Sequence, residues 1–229
     1  MQKTIKKEIS IKGVGLHTGH AVEMKFKPLG PNMGVMFQRI DLEGQPLVKV
    51  DINSLLSLKK NPRRTTISIN SAEIQTVEHL MAALSGLGID NLLVEINNDE
   101  VPGMDGSPLG FVQALKSAGI QEQGHERKVF KVARPLWAAD EDSSIVVLPS
   151  SDFKISYTLC YSHPAIGSQH LELKIGSEVF EKELASARTF CLQEEVGALT
   201  KSGMGKGANY ENTLVIGPEG VIKNKLRFK

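Results

Sequence analysis

Two titratable side chains stand side by side in the stretch Thr76-Val77-Glu78-His79-Leu80-Met81-Ala82-Ala83-Leu84. Val77, Leu80, Met81 and Leu84 fall at i, i+3, i+4 and i+7, which predicts a helix with one apolar face. Glu78 and His79 then occupy its first turn, and Thr76 is placed to be its N-cap. One turn further along the polar directions stand Ala82 and Ala83, where a solvated helix would carry long charged residues. The pair is therefore expected on a helix covered nearly all round, where an unpartnered charge is costly. Near a helix N-terminus the macrodipole favours an ionised carboxylate and a neutral imidazole. A neutral imidazole is the metal-binding form, and a carboxylate beside a metal can act as general base toward its bound water. No second histidine completes a His-Glu-x-x-His zinc signature, so the dipeptide by itself reads as a solvent-shielded structural pair ahead of a catalytic one.

Three other stretches carry candidate chemistry. Gly13-Val14-Gly15-Leu16-His17-Thr18-Gly19-His20 offers a His-x-x-His pair, or a glycine-rich hairpin with two polar turn residues. A zinc ion held by His17, His20 and His79 is a further arrangement. In Glu100-Val101-Pro102-Gly103-Met104-Asp105-Gly106-Ser107-Pro108, Asp105 is either a turn former or an acid that holds a catalytic imidazole from behind. Lys59-Lys60-Asn61-Pro62-Arg63-Arg64 could meet a phosphate, and reads more simply as a solvated surface run.

The elements that must position these residues follow from period and punctuation. Alternation predicts strands around Ile5–Ile11, Val22–Phe26, Val35–Arg39, Val48–Ile52, Thr65–Ile69 and Asn91–Ile96. The Glu-His helix should end at Gly86 or Gly88, and Leu109–Ala118 is a second helix closed by Gly119. The polar stretch Gln121–Lys128 predicts a boundary between residues 1–124 and 125–229. Strand signals then resume at Val129–Val132, Ser144–Leu148, Phe153–Tyr161 and His170–Ile175. Helices are expected at Glu178–Leu184 and Leu192–Lys201, and a hairpin around Gly217-Pro218-Glu219-Gly220. Strands and helices in both halves give an α+β reading, twice.

Composition narrows the function classes. The 229 residues are 41% hydrophobic and 23% charged with a net charge of +1, so nothing in bulk electrostatics points to nucleic acid or an anionic membrane. No apolar run approaches the ~20 residues of a membrane span, and the polar start is not a signal peptide. Two cysteines, Cys160 and Cys191, are too few for a disulfide framework. The expectation is a cytoplasmic protein with reduced thiols.

Taken together and in order, Gly13–Gly19, Arg64-Thr65-Thr66, Thr76–Leu84, the Val101–Ser107 loop and Ala187-Arg188-Thr189-Phe190 resemble the UDP-3-O-acyl-N-acetylglucosamine deacetylase family, the zinc hydrolases of lipid A biosynthesis in Gram-negative bacteria. The resemblance covers nearly the whole chain. It implies two α+β domains of like topology, each a mostly antiparallel sheet with helices, with the helices packed between the sheets. It implies Zn²⁺ as cofactor, UDP-3-O-acyl-N-acetylglucosamine as substrate and a monomer. Matched position by position, His79 corresponds to a zinc ligand, Glu78 to the general base and Thr189 to the hydroxyl that stabilises the oxyanion. Cys191 opens an insert, Cys191–Ile216, that lines an apolar passage for the acyl chain, and Phe190 with apolar residues of that insert would bind the chain. Tyr161 stands where the family has an aromatic near the nucleotide, and Asp105 behind the catalytic imidazole.

The resemblance also sets an expectation of incompleteness. A catalytic zinc takes about three protein ligands, and the family supplies two of them as His-x-x-x-Asp, with a general-acid histidine further on. Here His163 is followed four residues later by Gly167 and His170 by Lys174. The chain is therefore expected to be a C-terminally truncated or split form with one ligand of three, inactive alone, and with apolar surface uncovered in its second half. The competing expectation is a non-catalytic remnant that binds the acylated sugar nucleotide.

Overall fold

The computed structural model describes residues 1–59 and 61–228; Lys60 of the basic run and Lys229 lie outside the described residues. The chain is α+β. Its first half contains β1 (Lys3–Ile5), β2 (Ile9–Val14), β3 (Ala21–Pro28), β4 (Val35–Arg39), β5 (Leu47–Lys49), β6 (Thr66–Ile69), β7 (Ala72–Gln75), α1 (Glu78–Leu87), β8 (Leu92–Ile96), α2 (Leu109–Ser117) and β9 (Ile120–Glu122). A five-stranded sheet in the order β2-β3-β8-β4-β5 is antiparallel except where β4 runs parallel to β8. Alternation places Val22, Met24 and Phe26 of β3, and Leu92, Val94 and Ile96 of β8, on one buried face. Leu80, Ala83, Leu84 and Leu87 of α1 and Phe111, Val112 and Leu115 of α2 join them in a single core. β1 and β9 form a separate antiparallel pair, Lys3 opposite Glu122 and Ile5 opposite Ile120.

α1 departs from its expected form at its start and on one face. Its N-cap is Val77, without a side-chain hydrogen bond. Thr76, the expected cap, has φ +59° and donates its hydroxyl to Glu100 Oε1 at 2.8 Å, so a buried carboxylate has outcompeted the helix end. The buried stripe is Leu80-Ala83-Leu84-Leu87, leaving Met81 only half-buried. The end is as expected: Gly88, at φ 69°, closes the helix by donating to the carbonyls of Leu84 and Ser85.

The second half contains β10 (Leu136–Asp140), β11 (Ser143–Val147), β12 (Lys154–Cys160), β13 (Ser168–Lys174), the short helix α3 (Ser177–Val179) running into a π-turn at Phe180–Leu184, β14 (Phe190–Leu192), α4 (Gln193–Lys201), β15 (Leu214–Gly217) and β16 (Gly220–Ile222). Residues 129–132, expected as a strand, form none; Val129 and Phe130 are exposed and unsupported by a neighbouring strand. The hairpins β10–β11 and β12–β13 bury neither face, and Trp137, Ile145, Phe153, Tyr157 and Leu171 are exposed, matching the expected uncovered apolar surface. β14 pairs in parallel with β15, and β15 forms the expected hairpin with β16. Phe180 and Ala185 are buried in the core of the first half, with Phe180 packed over Gly86 of α1.

Candidate active site

Glu78 enters its position through the turn of the chain into α1. Its carboxylate accepts a hydrogen bond from the backbone N–H of Thr65 at 3.0 Å, which aims it away from the helix axis and into a cavity. His79 follows on the same turn. Burial holds its imidazole below the usual histidine range, against the opposing pull of Glu78 and Asp105, so it is neutral at pH 7.

Thr189 comes from the other half of the chain and is fixed by its own backbone. Its N–H donates to the Gly106 carbonyl at 2.9 Å and its carbonyl accepts from Leu214 N–H at 3.1 Å. This docking requires Gly106: a Cβ there would lie 2.0 Å from the Asn212 carbonyl oxygen, and φ is +81°. Glu78, His79, Thr189, Phe190 and Cys191 all line one cavity of ≈ 690 Å³. Val196, Leu199, Met204, Val215 and Ile222, from α4, the following turn and the β15–β16 hairpin, give the same cavity an apolar contribution.

Two predicted residues stand one layer back. Tyr161 is outside the cavity lining and meets Phe190 edge-on, with ring centroids 5.7 Å apart. Asp105 also lies outside it, accepting from Ser107 Oγ at 2.7 Å and pairing with Arg227 Nη2 at 2.6 Å. Burial pushes the Asp105 carboxyl up, but these bonds outweigh it and hold it below its ordinary value.

The histidine loop resolves differently from either expectation. His17 lines the cavity beside Thr76 and Glu78, whereas His20 turns toward Asp99, 3.7 Å away, on a smaller polar cleft. Burial lowers the His17 imidazole, and its Nδ1 is buried without a hydrogen-bond partner. The basic run is also more than a solvated surface, because Arg63 lines the cavity and pairs with Glu195 of α4. The glycines of 13–19 are the legible sign of a close approach, yet nothing local tells that His17 reaches the cavity.

A zinc centre needs more donors than these. Among the described residues no group of three or more His, Cys, Asp or Glu side chains converges to hold a metal, which leaves His79 as a single imidazole and rules out the His17–His20–His79 arrangement.

A carboxylate, a neutral imidazole and a hydroxyl facing an apolar-walled cleft are the equipment of a hydrolase for an amphipathic substrate. The family model described as LpxC, UDP-3-O-acyl N-acetylglycosamine deacetylase, matches residues 2–229, and the chain belongs to this family. It is 37% identical over 228 residues to the UDP-3-O-acyl-N-acetylglucosamine deacetylase of Thermodesulfovibrio yellowstonii, spanning 100% of this chain and 76% of that protein. The proteins of the same name from Syntrophotalea carbinolica and Geobacter sp. are each 37% identical over 229 residues, covering 73% and 74% of their lengths. No helix among the described residues is long and apolar enough to cross a membrane.

Proposed function

We propose that this chain binds UDP-3-O-acyl-N-acetylglucosamine in the ≈ 690 Å³ cavity and contributes Glu78, His79 and Thr189 to its zinc-dependent N-deacetylation in lipid A biosynthesis. The observation that carries the reading is the mixed lining of that cavity, which holds Glu78, His79 and Thr189 together with the aliphatic side chains of Val196, Leu199, Val215 and Ile222. Such a cavity suits a ligand with a hydrolysable amide beside a fatty acyl chain. Glu78, oriented by the Thr65 N–H, takes the proton of the water that attacks the acetamide carbonyl. Thr189 donates its hydroxyl to the oxyanion that forms, a contact worth about 3 kcal/mol when well placed. Phe190 and Cys191 lie against the acyl chain, and Tyr161 steadies Phe190 from behind on the side of the nucleotide. Asp105 acts on the His79 imidazole through its charge.

His79 offers one donor to Zn²⁺, and the described residues do not complete a site around it. The reading therefore separates substrate binding from turnover. In this reading residues 1–124 and 125–229 are two domains with the cavity between them, and the protein is a cytoplasmic monomer of a Gram-negative bacterium. A second reading, a binding protein without hydrolysis, is favoured by the incomplete donor set.

The test is calorimetric titration of the 229-residue protein with the acylated sugar nucleotide and with UDP-N-acetylglucosamine, alongside zinc content and acetate release. Clear preference for the acylated ligand is expected, with sub-stoichiometric zinc after gel filtration. Equal affinity for both ligands would sink the cavity assignment. Stoichiometric zinc with acetate release abolished by Glu78→Ala would refute the incomplete metal site and leave Glu78 as the base.

A further inference from the structure

Glu100 is fully buried, at 0% exposure, and forms no ion pair among the described residues. A carboxylate in that position is costly unless hydrogen bonds replace its water. Here four donors do so. Oε1 accepts from His17 N–H at 2.9 Å and from the Thr76 hydroxyl at 2.8 Å. Oε2 accepts from Thr18 N–H at 2.7 Å and from the Thr18 hydroxyl at 2.7 Å. Burial raises the Glu100 carboxyl and these bonds more than offset it, keeping it ionised. Gly15 leaves room for the contact, since a Cβ there would sit 2.4 Å from Oε2.

The donors come from two separate segments, and both lead straight into the cavity. One carries His17. The other is Thr76, two residues before Glu78, held in the left-handed region at φ +59°. The Glu100 backbone is fastened to the same lead-in, because Gln75 N–H donates to Asp99 O at 2.8 Å and Val101 N–H to Gln75 O at 3.0 Å. A stability role alone would be met by an apolar residue of similar volume at lower desolvation cost. What the carboxylate adds is direction, since it fixes two backbone N–H groups and two hydroxyls about one point.

We infer that Glu100 is a positioning residue of the active site, setting the His17 imidazole at a fixed distance and orientation from Glu78 across the bound amide. His17 is the group it acts through. Its ring lines the cavity beside Glu78, where the sugar or acetamide of the ligand would sit. The inference rests on the substrate reading above only for the identity of the ligand.

The test combines Glu100→Gln with His17→Ala in a double-mutant cycle. The amide side chain of Glu100→Gln would turn an NH₂ toward backbone N–H donors, so the His17 and Thr18 amide resonances are expected to lose their carboxylate-bonded downfield shifts in ¹H–¹⁵N spectra. Affinity for the acylated sugar nucleotide is expected to fall about tenfold in each single variant, as for a lost charge-assisted hydrogen bond. The double variant should fall no further than His17→Ala alone. Additive losses, or a lowered melting temperature with unchanged affinity, would overturn the inference in favour of a purely structural role. Should Glu100→Gln not fold, Thr18→Val removes one donor and is expected to show the same non-additivity with His17→Ala on a smaller scale. If the wild-type protein binds no acylated ligand, the substrate reading fails. The same cycle read on the amide shifts of residues 76–79 still decides the coupling, which is refuted if Glu100→Gln leaves those shifts in place.

Discussion

Replacing Gly86 with alanine sets two magnitudes against each other. In an exposed helix interior the change would stabilise by up to about 1 kcal/mol, because glycine is the poorer helix former. At Gly86 a Cβ would lie 2.1 Å from Cδ1 and 2.3 Å from Cγ of Phe180. Phe180 is 6% exposed and packed in the core, so moving its ring toward water would forfeit about 1.5–3 kcal/mol of burial. Overpacking of this kind costs about 1–3 kcal/mol, more than the helix gains, so Gly86→Ala should destabilise by about 1–2 kcal/mol. The prediction sharpens when Phe180 is removed first. Phe180→Ala alone should cost about 3–5 kcal/mol, and in that background Gly86→Ala should become neutral or stabilising by up to about 1 kcal/mol. The measurement is urea unfolding of the four proteins followed by far-ultraviolet circular dichroism, with m-values compared to exclude a change in the unfolded state. A Gly86→Ala effect of the same sign and size with and without Phe180 would refute the packing argument.

Two shorter predictions follow. Cys160 is exposed, whereas Cys191 is buried and its thiol is raised by burial and then by Glu195; a disulfide reagent at about pH 8 should modify one thiol rapidly and the second only after denaturation, and two fast thiols would contradict the cavity wall. The depressed Asp105 carboxyl contributes stability that is full above its unfolded value of about 3.9 and is lost as pH falls through its native value. Arg227→Ala should therefore cost about 0.5–1 kcal/mol more at pH 7 than at low pH once the carboxyl is protonated, a modest figure because both groups are about one-third exposed, and the loss that remains belongs to its hydrogen bond to the Ser186 carbonyl; equal losses at both pH values in urea titrations would count against the ion pair.

Where local pattern and tertiary packing agree, the fold can be read from the chain. Val35–Arg39 alternates cleanly and is a strand with those bounds, and Gly88 stops α1 because a left-handed cap needs it. The start of α1 differs from expectation because a threonine before a helix signals an N-cap only when its hydroxyl has no stronger partner, and Glu100 is distant in sequence. β7 is not legible because Ala72-Glu73-Ile74-Gln75 is too short to show its period alone; its pairing across Asn70 and Ser71 to β6 makes it a strand. Residues 129–132 have strand-forming types but no partner, so propensity goes unanswered. At the site, Glu78, His79, Thr189, Phe190 and Cys191 do share one cavity, while Tyr161 and Asp105 stand behind it. Arg63 and Glu100 are hidden for opposite reasons. A cation in a basic run reads as solvated, and an acid in a loop reads as surface.

The β1–β9 pairing bears on how the protein is made. Lys3–Ile5 finds its strand partner only at Ile120–Glu122, so this strand of a growing chain stays unpaired while the five-stranded sheet and α1 emerge. Glu78 and His79 can leave the ribosome well before anything holds their helix against α2. Thr189 is later still, since Leu214 must appear before its carbonyl is engaged. A chain synthesised at about 5–20 residues per second therefore passes through a window of several seconds in which the reactive pair exists on a helix without a finished core. Arrested nascent chains should become protease-resistant around the 78–87 helix only once residue 122 has cleared the exit tunnel.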